Sequence, residues 1–360
     1  MKFFNFFLSI VSRQNVLRIG FVAIMFITSC SEVDFEEKSL GSFEPISNNW
    51  EVATWKDFKQ AAISHTWDDN SANQLTLALP MYNEYDFKAT FFITPSWFPD
   101  WSGFRNALNQ GHEVSSHSMT HPFIYGDSLF QTRYELGESK RIIMENMQRK
   151  YPITFSYPFC YVDDIDMMED YYIAARGCSN QVVYSTIENF MNIGSFILGE
   201  MSNYNSDEDF NEIAEKALME NAWSVDTFHA IDNNNAWSPI NSNDLRTHLK
   251  YLNENRDVYW VDTFANVVKY VKARQQIRIV PTENSTTIIS AEIWDDFDDD
   301  IYNIPLTFKK EIPKSWSVLS VYHGDEEISH QRVRQSSKTY VIFDVIPDGR
   351  EVRILLDQHN

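Results

Sequence analysis

The chain has 360 residues, of which 43% are hydrophobic and 22% charged, a composition that excludes wholesale disorder and suffices to bury a sizeable core. Its net charge of −21 excludes nucleic acid and an anionic membrane face as electrostatic partners, because both require a positive surface. At about 150 residues per domain the length suggests two domains, and with only nine histidines in the chain any cluster of them is informative.

The first thirty residues carry Lys2, Arg13 and Arg18 but no acid, and Ile19 to Ile27 run without a charge. That stretch is far short of the roughly 20 residues that span a bilayer, so residues 1–29 read as a cleaved export signal. It ends in Ile27-Thr28-Ser29-Cys30, which resembles a bacterial lipoprotein box and implies a lipid on Cys30 that attaches the chain to a membrane. The following Ser31, Glu32, Asp34, Glu36 and Glu37 resemble the acidic stretch that directs lipoproteins of Bacteroidetes-like bacteria to the outer membrane and cell surface. The expected location is therefore the cell envelope of a bacterium. Residues 30–50 are polar, with Gly41, Pro45, Ser47 and Asn48, and read as a tether. Cys160 and Cys178 then remain in a compartment that permits disulfides, and their spacing leaves pairing open.

From 51 to 272 strand and helix signals alternate. AAISHTWDD is an apolar strand ending in acids, QLTLALPMYNEY a helix, KATFFIT a strand, WSGFRNALNQG a helix closed by Gly111, and HEVSSHS a strand entering a turn. A long amphipathic helix SLFQTRYELGESKRIIMENM follows, then strand YPITFSYPF, helix DMMEDYYIAARG and helix DEDFNEIAEKALMEN. The series closes with strand AWSVDTFHAI, helix NDLRTHLKYLNEN, strand DVYWVD and helix TFANVVKYVKARQQ. This alternation predicts an α/β fold with a mainly parallel sheet, read as a distorted (β/α) barrel with functional loops at the strand C-termini. From 277 to 360 helix signals give way to short strands such as IRIV, TTIISAEIW, TYVIFDV and EVRILLD, which predict a small, immunoglobulin-like β-sandwich. Within it, Asp295, Asp296, Asp298, Asp299 and Asp300 read as a solvated acidic loop in preference to a calcium site.

Three separated signals carry chemistry. Asp68 and Asp69 end a strand, where a pair of acids alone also suits a turn or helix cap. His117 and His121 lie four residues apart, able to face one metal ion. His229 ends another strand, where an ordinary partly buried histidine is the alternative. Two imidazoles and one carboxylate give a divalent ion three ligands and leave room for water and a substrate oxygen. A second carboxylate and an independent histidine supply the base and acid that hydrolysis needs.

Thr66-Trp67-Asp68-Asp69 resembles the Thr-Phe-Asp-Asp motif of the polysaccharide deacetylases of carbohydrate esterase family 4, related to the chitooligosaccharide deacetylases of nodulation. His117-Ser118-Met119-Thr120-His121 matches the His-Ser/Thr-x-x-His motif of that family, approached through Gly111-His112-Glu113-Val114. The resemblance covers about residues 55 to 270. It implies Asp68 as general base, Asp69, His117 and His121 as ligands of one divalent ion, most conservatively Zn2+, and His229 of Thr227-Phe228-His229 as general acid. The third motif departs from the pattern: Ser156-Tyr157-Pro158-Phe159-Cys160 lacks the arginine that orients the base, so Arg176 becomes the candidate replacement. Tyr157, Pro158 and Phe159 are expected to line the groove, with main-chain amides near Tyr157 facing an oxyanion. Asp226 is a candidate orienting acid for His229, although neighbouring strand positions point in different directions, and Trp223 and Trp237 are candidate sugar contacts with packing as the default.

The resemblance thus implies a metal-dependent enzyme that removes N-acetyl groups from an amino-sugar glycan, with an acetylated glycan as partner and no nucleotide. An O-acetyl esterase of the acetylxylan type, or a glycan-binding protein impaired by the missing arginine, are the alternatives.

Overall fold

A computed structural model describes residues 49–124, 129–149, 153–162, 167–232 and 235–357. The expected export signal, Cys30 and the tether before Asn49 lie outside the described residues. Among the described residues no helix is long and apolar enough to cross a membrane.

The segment AAISHTW forms a seven-residue strand, β1 (Ala61–Trp67), that is buried throughout. β2 (Thr90–Ile93), β3 (Glu113–Ser116), β4 (Thr154–Ser156), β5 (Ala174–Arg176), β6 (Phe196–Ile197), β7 (Trp223–Phe228) and β8 (Tyr259–Val261) join it in one parallel sheet. The ladder runs β5-β4-β3-β2-β1-β7-β6, and β8 pairs with the first half of β1. Near-continuous apolar runs are what a parallel sheet covered on both faces requires.

Alternation along each strand divides the core in two. Ala62, Phe92, Ala174, Trp223 and Val225 belong to one cluster, which continues through the helix Phe264–Gln276 into the C-terminal strands at Ile289, Phe308, Val341 and Val352. Ala61, Ile63, Trp67, Phe91, Ile93 and Phe228 face the other way. They pack with apolar positions of the helices Leu79–Glu84, Trp101–Asn109, Asp207–Met219 and Ser242–Glu254. At the start of β3, His112 Nδ1 accepts the Ala89 N–H at 3.0 Å and Glu113 accepts the Ala265 N–H at 2.8 Å, so this pair fixes the sheet.

Two expectations change. The sheet does not close as an even barrel: its edge strands β5 and β6 are three and two residues long, and a single parallel bridge, Arg176 to Ile193, links their flanks. The result is a curled, open half-barrel. The helix expected over DMMEDYYIAARG is instead a short 3-10 turn at Met168–Asp170 followed by strand β5. Its Ala174, Ala175 and Arg176 are taken into the sheet because Ile173 donates to Ile153 O at 2.8 Å and Thr154–Ser156 offers them an edge.

The C-terminal strands form two antiparallel sheets. Arg278–Asn284, Ile288–Trp294, Asp348–Leu356, Leu319–His323 and Glu326–Glu327 make one. Leu306–Ile312, Lys338–Val345 and His330–Gln335 make the other, and its outer strand is Trp50–Val52, paired as Trp50 with Lys310. A segment preceding the parallel sheet thus completes an antiparallel one. In the acidic loop, Asp295 and Asp298 accept the amides of Phe297 and Asp300 at 2.9 Å each, and Asp296 pairs with Arg278.

Candidate active site

Because the sheet is parallel, β1, β3, β4, β5 and β7 all end at one edge, and the residues that follow them meet there. Asp68 and Asp69 follow β1, His117 follows β3, Tyr157 follows β4, Arg176 ends β5 and His229 follows β7. Asp68, Asp69, His117, His121 and His229 line one cavity of about 540 Å³, with Trp97, Tyr157, Phe159 and Trp237 on its walls. Asp69, Ser118 and His121 adopt positive φ of 71°, 65° and 62°, a left-handed backbone that turns side chains back over the strand ends. Asn70 secures the first turn by accepting the Thr94 N–H at 2.9 Å.

The ligand set fits a divalent ion. Asp69 Oδ1 lies 3.5 Å from Nε2 of both His117 and His121, and it is buried without a hydrogen-bond partner. Metal bonds of about 2.0–2.2 Å in a tetrahedral site separate ligand atoms by about 3.3–3.6 Å. His117 Nδ1 donates to Ser156 O at 2.8 Å, which places its proton there and leaves the Nε2 lone pair facing Asp69.

Asp68 is built differently. Oδ2 accepts from Arg176 and, at 3.1 Å, from the Ser156 hydroxyl, while Oδ1 is buried without a hydrogen-bond partner. Arg176 is 1% exposed and also contacts Thr227, Ser156 and, at 3.3 Å, Ser195 Oγ. A guanidinium therefore reaches Asp68 from β5. Burial acts to raise the Asp68 carboxyl, but Arg176, His117, His229 and Ser156 outweigh it and hold it below the ordinary value. Burial, reinforced by the charge of Asp68 and opposed by His117, pushes Asp69 up to about 6. Two carboxyls adjacent in sequence thus diverge according to which of them faces the arginine.

His229 Nε2 is 3.9 Å from Asp68 Oδ2, and the ring packs edge-on against Trp237 at 4.2 Å. Burial lowers its pKa to about 3 despite the opposing charge of Asp68, so the imidazole is neutral at pH 7. Gln74 holds this corner by donating to the carbonyls of Asp68 and, at 2.7 Å, His229. Ser195 and Gln74 are residues of the site that the sequence did not mark, while Ser156 and Thr227 stood there only as neighbours of Tyr157 and His229 in the quoted motifs.

Three readings left open by the sequence are narrowed. Asp226 does not orient His229: it lies beside His65, to which it is also the register partner in the sheet, and His229 Nδ1 has no hydrogen-bond partner. Trp223 is fully buried and donates to Ser64, so it is a core residue, whereas Trp237 is 48% exposed at the cavity. The Tyr157 N–H is committed to Arg176 O at 3.1 Å. Cys160 and Tyr161 donate to Tyr157 O and Pro158 O, leaving Phe159 as the amide of this turn without an acceptor among the described residues.

Cys160 and Cys178 form a disulfide that ties this turn to the segment just beyond Arg176. A loop spanning 18 residues contributes about 3 kcal/mol on a chain-entropy account. Replacing both cysteines by serine is expected to lower unfolding free energy by about that amount in urea titration. An unchanged midpoint would contradict it.

Residues 56–167, about a third of the chain, match the family model described as polysaccharide deacetylase. The match includes Asp68, Asp69, His117 and His121, whereas Arg176 and His229 lie beyond it. A gellan lyase from Bacillus sp is 28% identical over 330 residues, which are 85% of this chain but only 13% of that protein. Among solved structures, the carbohydrate esterase family 4 domain of a multidomain xylanase from the hindgut metagenome of Trinervitermes trinervoides is similar, at TM-score 0.43 and 18% identity over 57% of this chain and 89% of that one. A peptidoglycan deacetylase from Bacillus subtilis gives TM-score 0.43 and 17% identity over 60% of this chain and 93% of that one.

Proposed function

We propose that the chain is a metal-dependent hydrolase that removes acetyl groups from a glycan, with N-acetylated amino sugars as the first substrate class. The observation that carries this reading is the juxtaposition, in one cavity, of the Asp69, His117 and His121 ligand set with a carboxylate held ionised by Arg176. Asp69, His117 and His121 would hold a divalent ion, zinc being the conservative choice for two imidazoles and a carboxylate, which would supply Lewis-acid polarisation of the acetyl carbonyl and a lowered pKa for the attacking water.

Asp68 accepts a proton from that water through Oδ1, the oxygen that Arg176 and Ser156 leave free. The Phe159 N–H faces the oxygen that becomes negative in the tetrahedral intermediate. His229 enters the reaction neutral, takes up a proton from the Asp68 side of the cavity and delivers it to the leaving group. Trp97, Phe159 and Trp237, which are 44%, 55% and 48% exposed, offer faces on which sugar rings stack.

The neutrality of His229 favours a second reading, an O-acetyl glycan esterase, because an alkoxide leaves without prior protonation more readily than an amine. The impaired-binder alternative drew its support from the missing third-motif arginine, and Arg176 supplies that charge. Upstream, the sequence supports export as a lipoprotein acylated at Cys30, a tether over residues 30–50 and placement at the outer membrane with the catalytic region, 51–272, exposed. The pair of antiparallel sheets at 277–360 is read as an immunoglobulin-like sandwich that holds this region above the surface.

Acetate release is the test. Zinc-loaded protein is expected to release acetate from N-acetylglucosamine oligomers, to lose that activity with a chelator and to regain it with zinc. Asp69→Asn should lose both bound metal and at least about 10⁴-fold in rate, since polarisation and water activation are lost together. Release from acetylxylan alone would select the esterase reading. Full activity in metal-depleted Asp69→Asn would overturn both.

A further inference from the structure

On the opposite face of the same two strands lies a second group of ionisable side chains. The outer face of β1 and β7 is otherwise apolar, built from Ala61, Ile63, Trp67 and Phe228 beneath Leu245, Leu249 and Leu252. Into this layer the fold inserts His65, Asp226 and His248, which are 0%, 1% and 0% exposed. Burying three such groups in an apolar layer is costly unless something satisfies them together.

Their geometry is that of a ligand set. His65 Nε2 lies 3.2 Å from His248 Nε2 and 3.4 Å from Asp226 Oδ2, and the three atoms lie within 4.8 Å of one another. The His65–Asp226 separation exceeds the range of about 2.7–3.2 Å for an N–H hydrogen bond, and the His65–His248 separation stands at its upper end. They lie close to the edges of about 3.3–3.6 Å that a tetrahedral ion imposes on nitrogen and oxygen ligands.

The outer partners point the same way. His248 Nδ1 sits 2.7 Å from Asn211 Oδ1 and donates to it, so the His248 Nε2 lone pair faces the centre of the group. His65 Nδ1 lies 3.1 Å from the Tyr82 hydroxyl oxygen, which also accepts from Trp67 at 3.1 Å; the Nδ1–H tautomer, donating to that oxygen, is the one that turns the His65 Nε2 lone pair to the centre. Asp226 Oδ1 accepts from Ser224 at 2.5 Å, leaving Oδ2 to the centre. Histidine ligands with the far ring nitrogen anchored, and a carboxylate with its second oxygen hydrogen-bonded, are the usual surroundings of a bound metal.

We propose that His65, Asp226 and His248 form a second, structural metal site that takes a zinc-like divalent ion, with the fourth position left to water. The ion joins β1 and β7, the strands that deliver Asp68 and His229, to the helix Ser242–Glu254. Being fully buried, it enters during folding. The inference is independent of the proposed reaction, because it concerns the other face of the sheet.

The test counts zinc in the full chain by mass spectrometry after unfolding, refolding in excess zinc and desalting. The wild type is expected to retain two equivalents, and Asp69→Asn combined with His121→Gln, which leaves the buried group intact, is expected to retain one. His248→Gln should retain one and melt at a lower temperature, and the triple variant should retain none. One equivalent in the wild type and none in the Asp69→Asn/His121→Gln protein would overturn the site. That double variant decides the matter even if His248→Gln does not fold.

Discussion

Asparagine at position 68 is expected to lower kcat for acetate release by about 10²–10⁴-fold, the range for loss of a positioned general base, while zinc content stays at the wild-type value. Asn is nearly isosteric, so an amide oxygen still meets Arg176 and Ser156, and the ligands Asp69, His117 and His121 are untouched. What disappears is the basic Oδ1, buried and without a hydrogen-bond partner. The two readouts separate base from ligand: Asp69→Asn loses metal and rate, Asp68→Asn rate alone. A near-normal rate in Asp68→Asn would remove Asp68 from the mechanism. The acid limb of the pH profile should also vanish, because in the wild type it reports protonation of this carboxyl, which lies below the ordinary carboxylate value.

The sequence marked Asp68, Asp69, His117, His121 and His229 because each follows a strand whose apolar run is readable locally, and parallel strands bring such ends to one edge. Arg176 was identifiable only as a candidate. Its contact with Asp68 spans 108 residues, and the segment around it carries the helix-like composition DMMEDYYIAARG. What makes that segment a strand is an unpaired edge at Thr154–Ser156, a property of the sheet and not of the segment itself. Asp226 stayed open for a related reason. It lies close to His229 in sequence, but strand alternation turns it to the outer face, where its register partner is His65. Trp50–Val52 was taken as tether and barrel entry because three residues carry no period, and its pairing partner stands at 308–310. The half-barrel likewise depends on the shortness of β4, β5 and β6, and helix-strand alternation does not encode how many pairs close a ring.

Methionine in place of Arg176 is expected to cost about 3–5 kcal/mol of stability, the penalty for leaving a buried charge without its partner. The guanidinium is 1% exposed and bridges Asp68 just after β1, Ser156 on β4 and Thr227 on β7, so its loss strips donors from three strand ends at once. Lysine is a poor substitute because a point charge cannot hold two pairs of oxygens in fixed geometry. Burial opposes ionisation of Asp68 and Arg176 leads the groups that favour it, so removing the arginine raises that carboxyl. The acid limb of kcat/KM must then move to higher pH in Arg176→Met, a shift that a purely structural arginine would not produce. Combining Arg176→Met with Asp68→Asn removes the charge left stranded, and the double variant should recover a large part of the stability lost in the single one. Denaturant melts of the four proteins measure that coupling directly. Strictly additive losses, with an unmoved pH profile, would mean that Arg176 packs the sheet edge and that Asp68 owes its ionisation to the histidines instead.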